Sequence, residues 1–247
     1  MYVRLTLALA ATSLLTPAHA ADFGAEIEAQ LAARSAELFG IASPLAASAP
    51  ATSGPVRAPD QTAAAQLALA GGLEAEYLTR EAANHFDMMA FWPAEAPTHL
   101  VACIEGEREE IAGGRMNPSI QSISLADGGV KTLVRGMDRC DGIRTTAWGT
   151  ILATEETDDG AAYELIDPLG LDNATVTDRA SGANTDPARI ARRGALPVMS
   201  WEGLNVSPEG VVIAGDELRP GTASPDANGG SIFKFVPAAA HAGGAIE

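Results

Sequence analysis

The chain has 247 residues, 32 Asp plus Glu against 16 Lys plus Arg, and a formal charge of −16. The length suffices for one or two domains with a real core. The charge argues against nucleic acid or an anionic membrane surface as partner, since both repel it, and is compatible with cation binding as well as with plain solubility.

Residues 1–20, MYVRLTLALAATSLLTPAHA, have the shape of a secretory signal: Arg4, an apolar run from Leu5 to Leu15, and Ala18-His19-Ala20 as a cleavage site. The run is too short to span a bilayer. The expectation is a periplasmic or secreted chain starting at Ala21, with no membrane association after cleavage. There is no twin-arginine pair, so export unfolded is expected, with any metal loaded outside the cytoplasm. Residues 21–75 read as an N-terminal segment. Ile27, Leu31 and Leu38 have helical spacing over 25–40, with Gly40 as a stop. Residues 42–66, rich in Ala, Ser and Pro, read as an extended or poorly ordered linker. A weaker helical pattern covers 73–83.

The main domain is expected over 76–247, as short strands between turn signals. They fall at His99–Ile104, Ile120–Leu125, Val130–Val134, Thr150–Thr154, Tyr163–Ile166, Val211–Ala214 and Ile232–Val236. An internal repeat organises them. Residues 141–156, DGIRTTAWGTILATEE, recur as a 16-residue frame at 202–217, EGLNVSPEGVVIAGDE, 61 positions later and without a gap. Gly149 meets Gly210, and Glu155-Glu156 meets Asp216-Glu217. A third copy runs from Asp87 through His99–Ile104 to Glu105. A supersecondary unit recurring at this period marks a propeller blade. The fold class read from this is all-β: a partial β-propeller of about three blades behind a short helical and poorly ordered N-terminal segment. Known propellers have four or more blades, so a partial chain, or one that takes a missing propeller half as partner, is expected.

In a propeller the innermost strand of each blade lines the channel, so acids at fixed frame positions converge on one axis. Clustered carboxylates repel unless protons or a cation neutralise them. Oxygen ligands in an approximate ring suit Ca²⁺ or a trivalent iron. The candidate ligands are Asp87, Glu105, Asp141, Glu155, Glu156, Glu202, Asp216 and Glu217. Successive strand residues face opposite ways, so Glu155 and Glu156 are not expected to ligate together. The two cysteines, Cys103 and Cys140, have two readings: one disulfide, or Cys140 as a thiolate ligand beside Asp141. Arg144 and Arg219 flank the acids, either in surface ion pairs or as contacts for an anionic substrate, since a planar guanidinium suits phosphate. His85, two residues before Asp87, is within reach of the same site. H-E-x-x-H, G-x-S-x-G and P-loop motifs are absent.

The run Thr146-Ala147-Trp148-Gly149-Thr150…Glu155-Glu156 resembles the T-P-W-G-T-x-L-x-x-E-E signature of PhoX-type alkaline phosphatases. Trp201-Glu202-Gly203…Asp216-Glu217 resembles that family's H-E-G…E-D segment, and Gly229–Pro237 its G-G-S-L-Y-R-F-V-P strand. Ala147 replaces the signature's Pro and Trp201 its His. The resemblance covers roughly 80–240. It implies a six-bladed propeller holding calcium and iron that cleaves phosphomonoesters, with Glu105, Glu156, Glu202 and Glu217 as metal ligands and Cys140 near the iron-binding cysteine.

The leading expectation is therefore an exported metal-dependent phosphoesterase acting on a small phosphorylated substrate, with calcium and iron as cofactors and Arg144 contacting phosphate. The alternative is a non-catalytic calcium-binding propeller, or an inactive fragment of one. A different propeller hydrolase, such as a lactonase, is a third reading, because fold does not fix function.

Overall fold

The computed structural model describes residues 22–45, 60–217 and 230–238. The signal-like residues 1–20, linker residues 46–59, Arg219 and the C-terminal residues 239–247 lie outside these. The chain divides into two units, Met1–Tyr77 and Leu78–Glu247.

In the first unit, α1 spans Phe23–Ala33 and α2 spans Ser35–Phe39. Asp22 caps α1 by accepting from the backbone N–H groups of Gly24 and Ala25. Gly40 ends α2 at φ 72°, a left-handed turn that glycine adopts without steric cost. The helical spacing of Ile27, Leu31 and Leu38 does not bury them; all three are exposed. The weaker pattern at 73–83 forms bends rather than a helix.

The second unit is all-β and propeller-like, and its described residues form three successive blades. In the first, β1 (Phe86–Trp92) and β2 (His99–Ile104) form a hairpin. A two-residue ribbon follows, β3 (Glu110–Ile111) with β4 (Arg115–Met116), and then β5 (Pro118–Ser124) and β6 (Val130–Arg135) complete the blade. The second blade carries β7 (Cys140–Thr145), β8 (Ile151–Glu155) and β9 (Ala162–Leu165). The chain then crosses back. Strand β10 (Ala174–Asp178) adds in parallel to the outer edge of β6, with β11 (Ala183–Asn184) beside it, before β12 (Ile190–Arg192) returns to β9. The third blade is β13 (Trp201–Val206), β14 (Val212–Asp216) and β15 (Ile232–Phe235).

Two cores lie between the blades. One joins blade 1 to blade 2 through Val101, Ile120, Leu133, Ile143, Ile151 and Tyr163. The other joins blade 2 to blade 3 through Leu152, Ala162, Trp201, Leu204 and Val212. The contact is close where Gly142 faces blade 3: a Cβ there would lie 2.7 Å from Leu204 Cδ2 and 3.0 Å from the Glu202 carbonyl oxygen. The glycines shared by the two long repeats serve the hairpin turns. Gly149 and Gly210 have φ of 82° and 87°, and each donates its N–H to a residue three earlier, Thr146 and Ser207.

The strands that open the three blades, β1, β7 and β13, fall outside the sequence-read strands. Each carries a register irregularity after its first residue: Phe86 to Met89, Cys140 to Ile143 and Trp201 to Leu204. A bulge breaks the two-residue alternation by which a strand is recognised, and in all three it holds the first acid of the frame: Asp87, Asp141 or Glu202.

Candidate metal centre

The three bulges fix the acids in space. Immediately after the second strand of each hairpin comes another acid, Glu105, Glu156 or Glu217. Its N–H donates to the carbonyl of the residue just before the first strand: Glu105 to His85 at 2.8 Å, Glu156 to Arg139 at 2.8 Å and Glu217 to Ser200 at 2.9 Å. The equivalence is thus Asp87, Asp141 and Glu202 at the bulge, and Glu105, Glu156 and Glu217 at the hairpin end. In the first copy Glu105 thus takes the place of Glu156 and Glu217, and Ile104 takes that of Glu155 and Asp216. An isolated bridge between Glu156 and Ser200 draws the second hairpin's end against the third hairpin's start.

The result is a carboxylate cluster at one end of the three hairpins. Glu156, Glu202 and Glu217 each offer an oxygen, and the three oxygens lie within 4.8 Å of one another. Asp141 lies beneath them, only 4% exposed, and its Oδ2 has no hydrogen-bond partner. Burial, then the charges of Asp87, Glu202 and Glu156, push its carboxyl up to about 7. Burial raises Glu105 as well, with Glu156 adding to it. Glu202 is raised by partial desolvation and by the charges of Glu156 and Asp87. At Glu156 burial pulls upward, but hydrogen bonding with Glu217, Arg139 and Glu105 outweighs it and holds the group below the usual range.

The cation among these acids is Arg139, which the sequence reading did not single out. Its Nη2 lies 2.6 Å from Glu105 Oε1 and 2.6 Å from Glu156 Oε2, joining blades 1 and 2. It directly precedes β7, outside the 16-residue frame, which is why the repeat did not flag it. His85 holds the equivalent place before β1, and both residues have positive φ, 61° for His85 and 50° for Arg139. Together with Glu105, Gly106, Glu107 and Glu109 they line an open cavity of about 400 Å³ beside the cluster.

Three sequence candidates, Cys140, Glu155 and Arg144, stand apart from this cluster, and a fourth, Asp216, shares the register of Glu155. The Cys140 sulfur is bonded to Cys103, tying β7 to β2, so it offers no thiolate to a metal. Glu155 points the opposite way from Glu156, into the protein, and is fully buried. It accepts from Arg179 Nε at 2.8 Å and from the backbone N–H groups of Asp138 and Ala161. Asp216 is the register equivalent of Glu155, paired across the hairpin with Trp201. Arg144 lies toward the turn end of β7, opposite Leu152, and donates to the Ile143 carbonyl. Two residues, Gly142 and Ile143, lie between it and Asp141, a span of roughly 10 Å along the chain.

No family model matches the chain, and no curated protein matches it. A solved structure similar to part of it is a gluconolactonase from Xanthomonas campestris, 18% identical with a TM-score of 0.38, covering 64% of this chain and 46% of that one. The chain thus spans about half the length of that protein, and a likeness of this size assigns neither family nor activity. The resemblance to PhoX-type alkaline phosphatases is corrected accordingly. No family model and no curated protein of that family matches, and the cysteine that the resemblance brought near iron is locked in a disulfide.

Proposed function

We propose that the chain is a metal-dependent hydrolase whose cation is held by Glu156, Glu202 and Glu217 with Asp141 beneath. The observation that carries this is the convergence of three carboxylate oxygens within 4.8 Å, from two blades, over a buried carboxyl with an unpartnered oxygen. Ca²⁺ fits this donor set best. It takes oxygen ligands at about 2.3–2.6 Å in flexible geometry, so two oxygens on one ion stand up to about 5 Å apart. The disulfide removes the thiolate that Cys140 would have offered to iron and leaves an all-oxygen donor set. A bound cation would polarise a substrate oxygen and make a bound water more acidic.

The proposed substrate is a small phosphorylated molecule. Its anionic group would meet the bound cation and Arg139 beside the open cavity, with neither nucleic acid nor membrane as partner on so acidic a surface. The proposed workplace is the periplasm or the exterior, in keeping with residues 1–20 and with a disulfide, which persists in oxidising compartments. Among the described residues no helix is long and apolar enough to cross a membrane.

A second reading has its own support. Glu156 belongs to blade 2 and Glu202 and Glu217 to blade 3, so a cation here ties two blades together without any chemistry. One experiment separates the two readings. The purified chain is stripped with chelator, reloaded with Ca²⁺ and assayed on an aryl phosphate and on a sugar lactone. Calcium-dependent phosphate release that is lost in Glu202→Gln supports the hydrolase. Stoichiometric calcium without turnover supports the structural cation. Turnover of the lactone alone replaces the phosphoester reading.

A further inference from the structure

Each junction between blades gathers three acids of the frame: the hairpin-end acid of one blade, then the bulge acid and the hairpin-end acid of the next. At the junction of blades 2 and 3 these are Glu156, Glu202 and Glu217, whose oxygens lie within 4.8 Å of one another. The same positions one blade earlier are Glu105, Asp141 and Glu156. The backbone ties both junctions alike. The Arg139 N–H donates to the Gly106 carbonyl at 3.0 Å, drawing the start of blade 2 to the hairpin end of blade 1, as the Glu156–Ser200 bridge draws blade 3 to blade 2. Two triples thus follow one rule and share Glu156.

They differ in the residue just before the first strand, Arg139 in blade 2 and Ser200 in blade 3, 61 positions apart. Each of these accepts, at its carbonyl, the N–H of its own blade's hairpin-end acid, so the two side chains leave the backbone at equivalent points. From Arg139 a guanidinium enters the earlier triple, with Nη2 2.6 Å from Glu105 Oε1 and 2.6 Å from Glu156 Oε2. Ser200 brings no charge to the later one. The third member of the earlier triple, Asp141, is nearly fully buried, its Oδ2 has no hydrogen-bond partner, and Asp87, Glu202 and Glu156 are close enough to repel its charge. A buried carboxyl oxygen without a partner among further acids is costly unless a proton or a cation meets it.

We infer that the earlier triple is a second cation position of the same kind, held in this chain by the Arg139 guanidinium, whereas the later triple takes an exchangeable ion. The inference rests on the metal reading of the later triple for its ligand class, Ca²⁺. Arg139 is then a permanent counter-charge that chelator cannot strip, and it limits these two junctions to one exchangeable metal. Arginine suits the role because it stays charged throughout the working pH range. Two-metal sites hold their ions about 3.5–4 Å apart, close enough for one carboxylate, here Glu156, to serve both positions.

The test counts Ca²⁺ per folded chain by equilibrium dialysis, at free ion up to about 1 mM, the range of weak extracellular calcium modules. Arg139→Asn removes the guanidinium with a short side chain that accepts the φ of 50° at this position. It is expected to bind one more Ca²⁺ than the unaltered chain, and Arg139→Gly is expected to do the same. Both ion pairs are partly open to water, so neither change is expected to unfold the chain. Adding Glu105→Gln to Arg139→Asn is expected to remove the extra ion alone, because Glu105 belongs only to the earlier triple. Arg139→Met, whose stem still occupies the place, is expected to gain none. An unchanged count in folded Arg139→Asn or Arg139→Gly, or an extra ion that survives Glu105→Gln, would overturn the inference. The count in the unaltered chain reports separately on the later triple: a value of zero removes the metal from Glu156, Glu202 and Glu217, while the difference between variant and unaltered chain still decides the earlier one.

Discussion

Arg139 Nη2 donates to Glu156 Oε2 at 2.6 Å, and the same nitrogen donates to Glu105 Oε1 at 2.6 Å. A single guanidinium therefore neutralises acids of two blades and competes with any metal for Glu156. Replacing it by methionine keeps much of the stem and removes the charge. Both ion pairs are partly open to water, so each contributes under about 1 kcal/mol. Arg139→Met is expected to cost about that much in a calcium-free chain and to bind Ca²⁺ several-fold more tightly. Isothermal titration and thermal melts with and without calcium read both effects. Weaker binding would mean that Arg139 positions Glu156 for the ion rather than competing with it.

Asp141 sets a pH dependence. Its folded-state value of about 7 stands above an ordinary carboxyl value of 3.8, so the native chain binds a proton that the unfolded chain has released. Stability contributed by that proton is present at low pH and is lost as pH rises from about 4 to about 7. The calcium-free melting temperature is expected to fall over this window, less steeply in Asp141→Asn. Calcium binding is expected to release protons, visible as a buffer-dependent heat in titration calorimetry. A melting temperature that does not respond to pH differently in Asp141→Asn would remove Asp141 from this role.

The neighbours Glu155 and Glu156 should behave as unrelated residues. Glu156→Gln is expected to weaken Ca²⁺ binding at least tenfold with little loss of stability. Glu155→Gln takes the buried carboxylate from Arg179, which keeps Asp159 at 2.8 Å and Asp138 at 3.5 Å, and disturbs the backbone groups it accepts from, an expected cost of about 1–3 kcal/mol. Calcium stoichiometry in the folded fraction is expected to be unchanged. Denaturant melts and metal analysis on both variants check this; a loss of calcium from folded Glu155→Gln would put that residue back in the ligand set.

The Cys103–Cys140 bridge closes a sequence separation of 37 residues between two blades. Cross-linking over that length stabilises by about 2–4 kcal/mol, chiefly by restricting the unfolded chain. A Cys103→Ala/Cys140→Ala double variant is expected to unfold at correspondingly lower denaturant while keeping its full calcium content. Calcium lost from a folded double variant would restore Cys140 as a ligand.

Much of this molecule was legible in one dimension. The 16-residue frame repeats because each blade needs the same hairpin, so residue order alone marked the blades, the turn glycines Gly149 and Gly210, and acids at matching positions. It did not mark β1, β7 and β13. Their bulges put Asp87, Asp141 and Glu202 where a strand's alternation should continue, and the irregularity that hid the strands is what aims those carboxylates into the cluster. Spacing alone did not separate Glu156 from Glu155; only the resemblance had singled out Glu105, Glu156 and Glu217. Those choices depend on which face of a strand a residue takes and on which backbone groups meet at its end.

Arg139, Cys140 and Arg179 make the same point from the other side. Each acts on a residue 17 to 37 positions away: Arg139 on Glu105 and Glu156, Cys140 on Cys103, Arg179 on Glu155. The sequence by itself determined that the chain is acidic, built of repeated hairpins, and furnished with carboxylates at a fixed spacing, because these are local properties of composition and period. Only the tertiary structure decided which carboxylates converge, which is buried against an arginine, and that a cysteine beside them is spent on a disulfide. Packing one blade on the next is what brings distant residues within ångströms of each other.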